Sequence, residues 1–264
     1  MFVYENFEFE NTSKKLQNIL LQTDFFVPDT IYDEQKMLKI CEIASRLHIK
    51  TMTVHYTFVE HIWKWVEKKN IKICAFIDCD LFFENGIFNF ARMFSAVKNS
   101  FQNGANFIDI KLPKNADIYE ILKIATNAVD GKNSAIKITV QPEGYSKSIQ
   151  IKDFMKKMQA LKFFNFKTAD FFLDSENKSI DNQNLFTRVS DINAMLDFVQ
   201  QSKSMQHTKI DIVASEKDEN GFEFYDSVKL LCLSIFGDEI FFKNNIFFTY
   251  DISRLHKILQ QNAG

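Results

Sequence analysis

Residues 106–112 read Asn-Phe-Ile-Asp-Ile-Lys-Leu, a short apolar run interrupted at every second position by a different kind of side chain. Alternate side chains on a strand point to opposite faces of the sheet. Ile108 and Ile110 therefore share an apolar face, and Asp109 and Lys111 share the opposite face. The pattern predicts a strand that packs its isoleucines on helices and presents ionisable groups on its other side.

Similar apolar runs recur roughly every thirty residues. They predict strands at 23–27, 49–55, 71–78, 106–112, 135–141, 163–168, 209–214 and 245–249. Amphipathic patterns between them predict helices at 33–47, 57–68, 86–101, 116–129, 150–160, 188–201, 222–235 and 251–261. Eight βα units close most naturally into a (β/α)8 TIM barrel, and the chain has no Gly-rich phosphate turn of a doubly wound sheet. We therefore expect one α/β barrel domain over residues 1–264, with residues 1–20 as a short N-terminal helical cap.

The composition limits the classes of function. The 264 residues have a formal net charge of −2, and 46% are hydrophobic, which excludes a disordered chain and argues against a nucleic-acid partner. No apolar run approaches the ~20 residues of a membrane helix, and the acidic N-terminus does not resemble a signal peptide. We expect a cytoplasmic protein with no membrane partner. The four scattered cysteines predict reduced thiols rather than a metal site, and we expect neither a metal nor a cofactor.

Three ionisable residues lie inside predicted apolar strands: Asp109, Lys137 and Lys167. By alternation, Lys137 shares a face with Thr139 and Gln141. Catalytic groups of barrels sit at the carboxyl ends of strands, so these positions are candidates for chemistry. Burial would lower the pKa of Lys167 and make its amine a nucleophile for a carbonyl group. Two other interpretations fit the same pattern. The lysines and Asp109 could form buried ion pairs that only stabilise the barrel. Alternatively, the side of the strands that is taken here as the inner face could be the outer face.

The same strands, in this order, resemble the class I deoxyribose-phosphate aldolase family, and the chain looks like a divergent member. Gly104-Ala-Asn-Phe-Ile-Asp109 is similar to the family's fourth-strand motif, and the segments 136–141 and 164–168 are similar to the fifth-strand and sixth-strand motifs. Residues 27–30, Val-Pro-Asp-Thr, resemble its opening motif. The resemblance spans roughly residues 20–261.

The resemblance implies a lyase that cleaves 2-deoxyribose 5-phosphate, in deoxyribonucleotide breakdown, to glyceraldehyde 3-phosphate and acetaldehyde. It assigns the Schiff base to Lys167 and proton transfer to Asp109 and Lys137. It also implies that the substrate is bound by four further side chains: Thr139, Gln141, Thr168 and Ser215.

Several positions depart from the family pattern. Val213 stands where the family has a second catalytic lysine, and Glu216 stands where a glycine of a phosphate-binding turn is expected. In the other phosphate-binding loop the family's glycine is absent as well, and Asp170 adds a negative charge there. Acidic residues repel a phosphate. Two alternatives therefore stay open. The first is an aldolase-like barrel that acts on a non-phosphorylated sugar or aldehyde. The second is a catalytically inactive barrel that has a binding or structural role.

Three further features allow two interpretations each. His55 ends the second predicted strand. It would be either a structural histidine whose hydrogen bonds are made within the protein or a residue that lines the mouth of the barrel. Asp78, Asp80 and Glu84 would form a solvated acidic loop or, less simply, a divalent-cation site. The pair Phe241-Phe242 would be either buried in the protein or exposed in a contact between the two subunits of a homodimer.

Overall fold

Eight parallel strands close into a barrel in the computed structural model, each paired with the strands before and after it in sequence and the last paired with the first. The strands are β1 (Thr23–Val27), β2 (Thr51–His55), β3 (Lys72–Asp78), β4 (Phe107–Lys111), β5 (Ile136–Val140), β6 (Asn165–Thr168), β7 (Lys209–Val213) and β8 (Ile246–Tyr250). The predicted (β/α)8 barrel is confirmed.

Helices alternate with these strands. They are α1 (Lys14–Leu21), α2 (Glu34–Arg46), α3 (Val59–Glu67), α4 (Phe90–Gln102), α5 (Ile118–Ala128), α6 (Ser148–Ala160), α7 (Asn182–Gln201), α8 (Gly221–Phe236), α9 (Glu239–Asn245) and α10 (Ile252–Gln260). Within the described residues, none of them is both long enough and apolar enough to cross a membrane.

The structure describes residues 8–27, 33–113, 116–140, 148–168, 182–202, 205–213, 221–250 and 252–260. The chain divides into two compact units. The first unit is Met1–Ile136 with Phe248–Gly264, and the second unit is Lys137–Phe247. Each unit is described by itself below.

Helix starts follow from local side chains that accept hydrogen bonds from the first-turn amides. Asp33 caps α2 by accepting from the amide of Lys36, and Asn89 caps α4 by accepting from the amide of Arg92. Asp117 accepts from two first-turn amides of α5. Such caps satisfy donors that have no partner within the helix, which fixes where each helix begins.

One helix prediction was wrong in detail, and one further helix was not predicted. The helix predicted at 86–101 begins only at Phe90, because Phe83–Glu84 and Ile87–Phe88 pair as a short antiparallel hairpin. Its turn places Asn85 and Gly86 at positive φ, which a helix does not allow. The segment after α8 forms the additional helix α9, capped by Asp238.

The two faces of the strands differ as the alternation predicted. In the first unit, the register pairs Phe76 with Asp109 and Asp78 with Lys111, so the ionisable residues of β3 and β4 share one face. In the second unit, the apolar partners Ile138, Phe166 and Ile210 lie side by side and are fully buried. Burial of such apolar rows is the main contribution to the free energy of folding.

Candidate active site

Lys167 lies on β6 and has no solvent-exposed surface. Its register partners are Thr139 on β5 and Asp211 on β7, so the three side chains form one row on the same face of the second unit. Thr139 and Asp211 are buried as well. Burial favours the neutral, nucleophilic form of an amine over its ammonium form.

Lys137 forms an ion pair with Asp211: its Nζ donates a hydrogen bond to Oδ2 of the carboxylate. The Lys137 side chain is 15% exposed and the Asp211 side chain is 3% exposed. The pair joins β5 to β7, the strands on either side of β6. Lys137 is thus paired with a carboxylate that lies in the row of Lys167.

Sequence reasoning missed Asp211, although its signal was present. Residues 209–213 read Lys-Ile-Asp-Ile-Val, the same alternation of isoleucines and an aspartate that singled out Asp109. The resemblance drew attention to Val213 as the position of a missing lysine, two residues further on. The structure places Val213 in a buried position, 1% exposed.

Thr168 follows Lys167 and is buried at the end of β6. Its Oγ1 accepts a hydrogen bond from the amide of Val213 at 2.8 Å, which continues the pairing of β6 and β7 through a side chain. A threonine hydroxyl has one proton to donate and can also accept, so this contact leaves its donor capacity for another group. The hydroxyl of Thr168 can therefore still donate a hydrogen bond, as its predicted role in substrate binding requires.

The other predicted positions are distributed as follows. The second unit brings Lys137, Thr139, Lys167 and Thr168 together on two adjacent strands, β5 and β6. Gln141 and Ser215 lie outside the described residues, as do Asp170 and Glu216.

Asp109 belongs to the first unit, on β4, and is completely buried. Its row contains Phe76 on β3 and His55 on β2. Gly104, which opens the motif that contains Asp109, has a structural role: at φ +106° a Cβ there would lie 3.0 Å from Cβ of Trp63. The glycine of this motif is thus required by the packing of α3 on the turn before β4.

Lys111, two residues beyond Asp109, lies between two carboxylates. Its Nζ is 3.1 Å from Oδ2 of Asp78 and 3.2 Å from Oδ2 of Asp80. Burial by itself would lower the pKa of Lys111, but the two carboxylates outweigh it and raise that pKa above its ordinary value. The acidic loop that could have suggested a cation site thus holds a lysine, and Glu84 is paired with Arg92.

His55 is 6% exposed, so it is a buried histidine. Its Nδ1 is 2.8 Å from Oγ1 of Thr57, whereas Nε2 has no hydrogen-bond partner among the described residues. Burial lowers the pKa of His55, and the charge of Asp78 only partly offsets this. The neutral imidazole is therefore the favoured form.

Asp24 on β1 is a second buried carboxylate that the sequence analysis did not single out. The hydroxyl of Thr53 lies 2.7 and 2.8 Å from its two oxygens. Both residues are buried, and the pair joins β1 to β2 within the first unit.

Solved structures with the same arrangement of strands and helices come from several organisms. The aldolase from Aeropyrum pernix, described as a deoxyribose phosphate aldolase of unique tetrameric structure, is 13% identical, with a TM-score of 0.63, over 93% of this chain and 91% of that one. The fold is that of the deoxyribose-phosphate aldolases. A candidate deoxyribose-phosphate aldolase from Toxoplasma gondii ME49 has a TM-score of 0.67 at 13% identity, over 94% of this chain and 93% of that one.

A third structure with this aldolase fold is a candidate deoxyribose-phosphate aldolase from Coccidioides immitis, with a TM-score of 0.65 at 12% identity. The match covers 99% of this chain and 92% of that one. No protein-family model matches the sequence, and no curated protein does. At this identity the likeness is one of fold, and the chemistry has to be argued from the side chains.

In barrels of this kind, active sites lie at the carboxyl ends of the strands. Lys167 and Thr168 are the last two residues of β6, and Asp211 precedes the end of β7 by two residues. The row of Lys167 thus lies toward the end of the strands where such barrels perform chemistry.

Proposed function

We propose that this aldolase-like barrel is a Schiff-base-forming class I aldolase, with cleavage of 2-deoxyribose 5-phosphate to glyceraldehyde 3-phosphate and acetaldehyde as its reaction. The observation that supports this most is the complete burial of Lys167 near the carboxyl end of β6. Burial disfavours the ammonium form of a lysine, and the neutral amine is the form that attacks carbonyl carbon.

The proposed reaction begins when the Lys167 amine adds to the C1 carbonyl of the open-chain sugar. Protonation of the resulting hydroxyl releases water and leaves an iminium ion. A base then takes the proton of the C3 hydroxyl, the C2–C3 bond breaks, and its electron pair moves through C2 to the iminium nitrogen. Protonation of the enamine at C2 and hydrolysis release acetaldehyde and restore the amine.

The proton transfers of this reaction are assigned to Lys137 and Asp109. Lys137 supports the assignment by its position on β5, next to the strand of Lys167, and by its charged form, which can donate. Asp109 has the role that the family resemblance gives it, and its complete burial in β4 is consistent with a carboxyl group kept for chemistry.

A second substrate class is favoured by the charges of the sequence. Glu216 stands where a phosphate-binding turn would be expected to have a glycine, Asp170 lies in the other expected phosphate loop, and neither carboxylate would attract an anion. The second candidate is therefore the same Schiff-base chemistry on a non-phosphorylated sugar or aldehyde. The proposed setting is the cytoplasm, where the four buried thiols would stay reduced.

The test is borohydride trapping with acetaldehyde, followed by intact mass measurement of the wild type and of Lys167→Ala. We expect an adduct on the wild type that is absent from Lys167→Ala and retained in Lys123→Ala, which removes a lysine whose side chain is 70% exposed. Deoxyribose 5-phosphate and unphosphorylated deoxyribose, compared next, separate the two substrate classes. Folded wild type that forms no Lys167-dependent adduct between about pH 6 and about pH 9 would make this a binding barrel or an enzyme of other chemistry.

A further inference from the structure

We propose that Asp211 is the positioning residue of this site: its carboxylate fixes the ammonium group of Lys137 beside Lys167, so that Lys137 can act as the proton donor when the imine forms. This inference rests on the proposed function, because it assigns a role within the same reaction. It gives β7 a part in catalysis even though Val213 carries no charge.

The geometry behind the inference is a diagonal contact over β6. Asp211 is the register partner of Lys167, whereas Lys137 is the register partner of Asn165, two residues before Lys167. The two strands that carry the pair are about 10 Å apart, twice the spacing of neighbouring strands. A lysine and an aspartate that reach toward each other span that distance, and their contact is made on the face that Lys167 shares.

The pair also distinguishes the two lysines. Two neighbouring ammonium groups repel each other strongly away from water, so one of them is favoured to be neutral. The carboxylate of Asp211 stabilises the charge on Lys137, with which it forms the ion pair. Lys137 then serves as the acid, and Lys167 can serve as the nucleophile.

Other charged groups on these three strands do not compete for this role. The charged residues of β5, β6 and β7 are Lys137, Lys167, Lys209 and Asp211. Lys209 is exposed, and its Nζ lies 5.8 Å from the ring centroid of Phe247. Along the described parts of β5, β6 and β7, Asp211 is thus the carboxylate in the row of Lys167.

The proton balance of the step is complete with these groups. The neutral Lys167 amine adds to the carbonyl carbon, and its proton moves to the former carbonyl oxygen to give a neutral hydroxyl. Lys137 donates one proton to this hydroxyl, the C–O bond breaks, and water leaves as the iminium ion forms. Lys137 is then a neutral amine hydrogen-bonded to Asp211, and it regains its proton from C2 of an acetaldehyde iminium when the enamine forms.

The experiment measures the rate of the borohydride-trapped acetaldehyde adduct at Lys167, by peptide mass, as a function of pH. The variants are Asp211→Asn, Asp211→Glu and the control Asp197→Asn. The control removes a carboxylate of the same unit that pairs with Lys152 at 3.3 Å and is 35% exposed. In parallel, pulse acetylation of Lys137 with acetic anhydride reports on the protonation of Lys137 without any need for activity.

We expect Asp211→Asn to lower the trapping rate roughly 10²-fold at neutral pH, the lower end of what a positioned acid contributes. Without the carboxylate, the Lys137 ammonium group should lose its proton at a lower pH. The alkaline limb of the pH profile of trapping and the midpoint of Lys137 acetylation should therefore both move to lower pH. Asp211→Glu should restore most of the rate and of the limb, and Asp197→Asn should match the wild type. If Asp211→Asn is poorly folded, Asp211→Glu and the neutral pair Lys137→Gln with Asp211→Asn replace it.

Three results would overturn the inference. If the acetylation midpoint of Lys137 moves but the limb of the trapping profile does not, Asp211 stabilises the charge of Lys137 without a part in imine formation, and Lys167 keeps its proposed role. If the double variant Lys137→Gln with Asp211→Asn forms the trapped acetaldehyde adduct as fast as the wild type, the ion pair likewise has no part in imine formation. If the wild type itself forms no Lys167 adduct, the proposed function fails and the role of Asp211 fails with it.

Discussion

Two groups of charged side chains lie near the carboxyl ends of strands, one in each unit, and they balance their charges differently. In the first unit, Lys111 lies between the carboxylates of Asp78 and Asp80, one of which is half-exposed. In the second unit, Asp211 pairs with Lys137. The register partner of Asp211 on the neighbouring strand is another lysine, Lys167. The first group has more acid than base, and the second has more base than acid.

This difference supports the proposal that Lys167 is reactive and that Lys111 is structural. Two carboxylates keep Lys111 charged, and a charged amine is not a nucleophile. In the second unit, Asp211 pairs with Lys137, and the fully buried Lys167 lies in the same row as that pair. A reactive lysine is therefore recognised by the balance of charge around it rather than by its burial alone.

The largest expected effect on stability is that of Asp211→Ala. It leaves the Lys137 ammonium group of a buried pair without its carboxylate, which costs about 3–5 kcal/mol in the free energy of unfolding. The matching change in the first unit, Asp78→Ala, should cost only about 1 kcal/mol, because Lys111 keeps its second carboxylate, Asp80. Urea unfolding of the three proteins measures both values.

A double variant provides the control for that pair of changes. Lys137→Met with Asp211→Leu replaces both charges by apolar groups and should recover most of the lost stability. Equal costs for Asp211→Ala and Asp78→Ala would contradict the distinction between the two groups.

An intermediate effect is expected for Thr168→Val. The change removes the oxygen that accepts from the amide of Val213 and leaves a buried amide without its partner, at a cost of about 1–3 kcal/mol. Thr168→Ser keeps the oxygen and should lose much less. Thermal unfolding of the two variants compares them, and a valine variant as stable as the serine variant would show that this contact does not hold β6 against β7.

The smallest effect is a pH dependence confined to the first unit. Because burial lowers the pKa of His55 from its ordinary 6.5, the unfolded chain binds a proton that the folded chain does not. This contribution to stability is fully present above about pH 6.5 and is lost as pH falls from 6.5 toward the lowered pKa. His55→Gln should therefore lose less stability than the wild type between about pH 7.5 and about pH 5.5 in urea unfolding.

The exposed residue His207 offers a matched control for this titration. His207→Gln should follow the wild type at both pH values. An identical acid loss in His55→Gln and the wild type would show that the orphaned Nε2 of His55 does not influence folding.

The sequence predicted the barrel well because its strands alternate so regularly. The eight predicted strands match the observed ones within two residues at each end, since an apolar face at every second position is set by packing on helices. The hairpin at 83–88 was missed because its two-residue strands are too short to show alternation. Its turn depends on the positive φ of Asn85 and Gly86, which periodicity does not reveal.

The candidate site was predicted in part. Lys137, Thr139 and Lys167 were placed correctly on one face, because strand alternation determines the face of each residue. The partner of Lys137 was not found, since an ion pair between strands that are not adjacent depends on side-chain reach and on the register of β6 with β7. The catalytic roles of these residues remain predictions.

The most direct test of the central claim compares Lys167 with Lys111 in a single sample. Wild-type protein is mixed with acetaldehyde, quenched with borohydride, digested, and read by peptide mass at both lysines. The account predicts that the adduct is at least about tenfold more abundant at Lys167 than at Lys111, since the two carboxylates beside Lys111 raise its pKa and keep its amine charged. Equal labelling of the two lysines, or stronger labelling of Lys111, would contradict the claim that the charge balance of the second unit makes its buried lysine reactive.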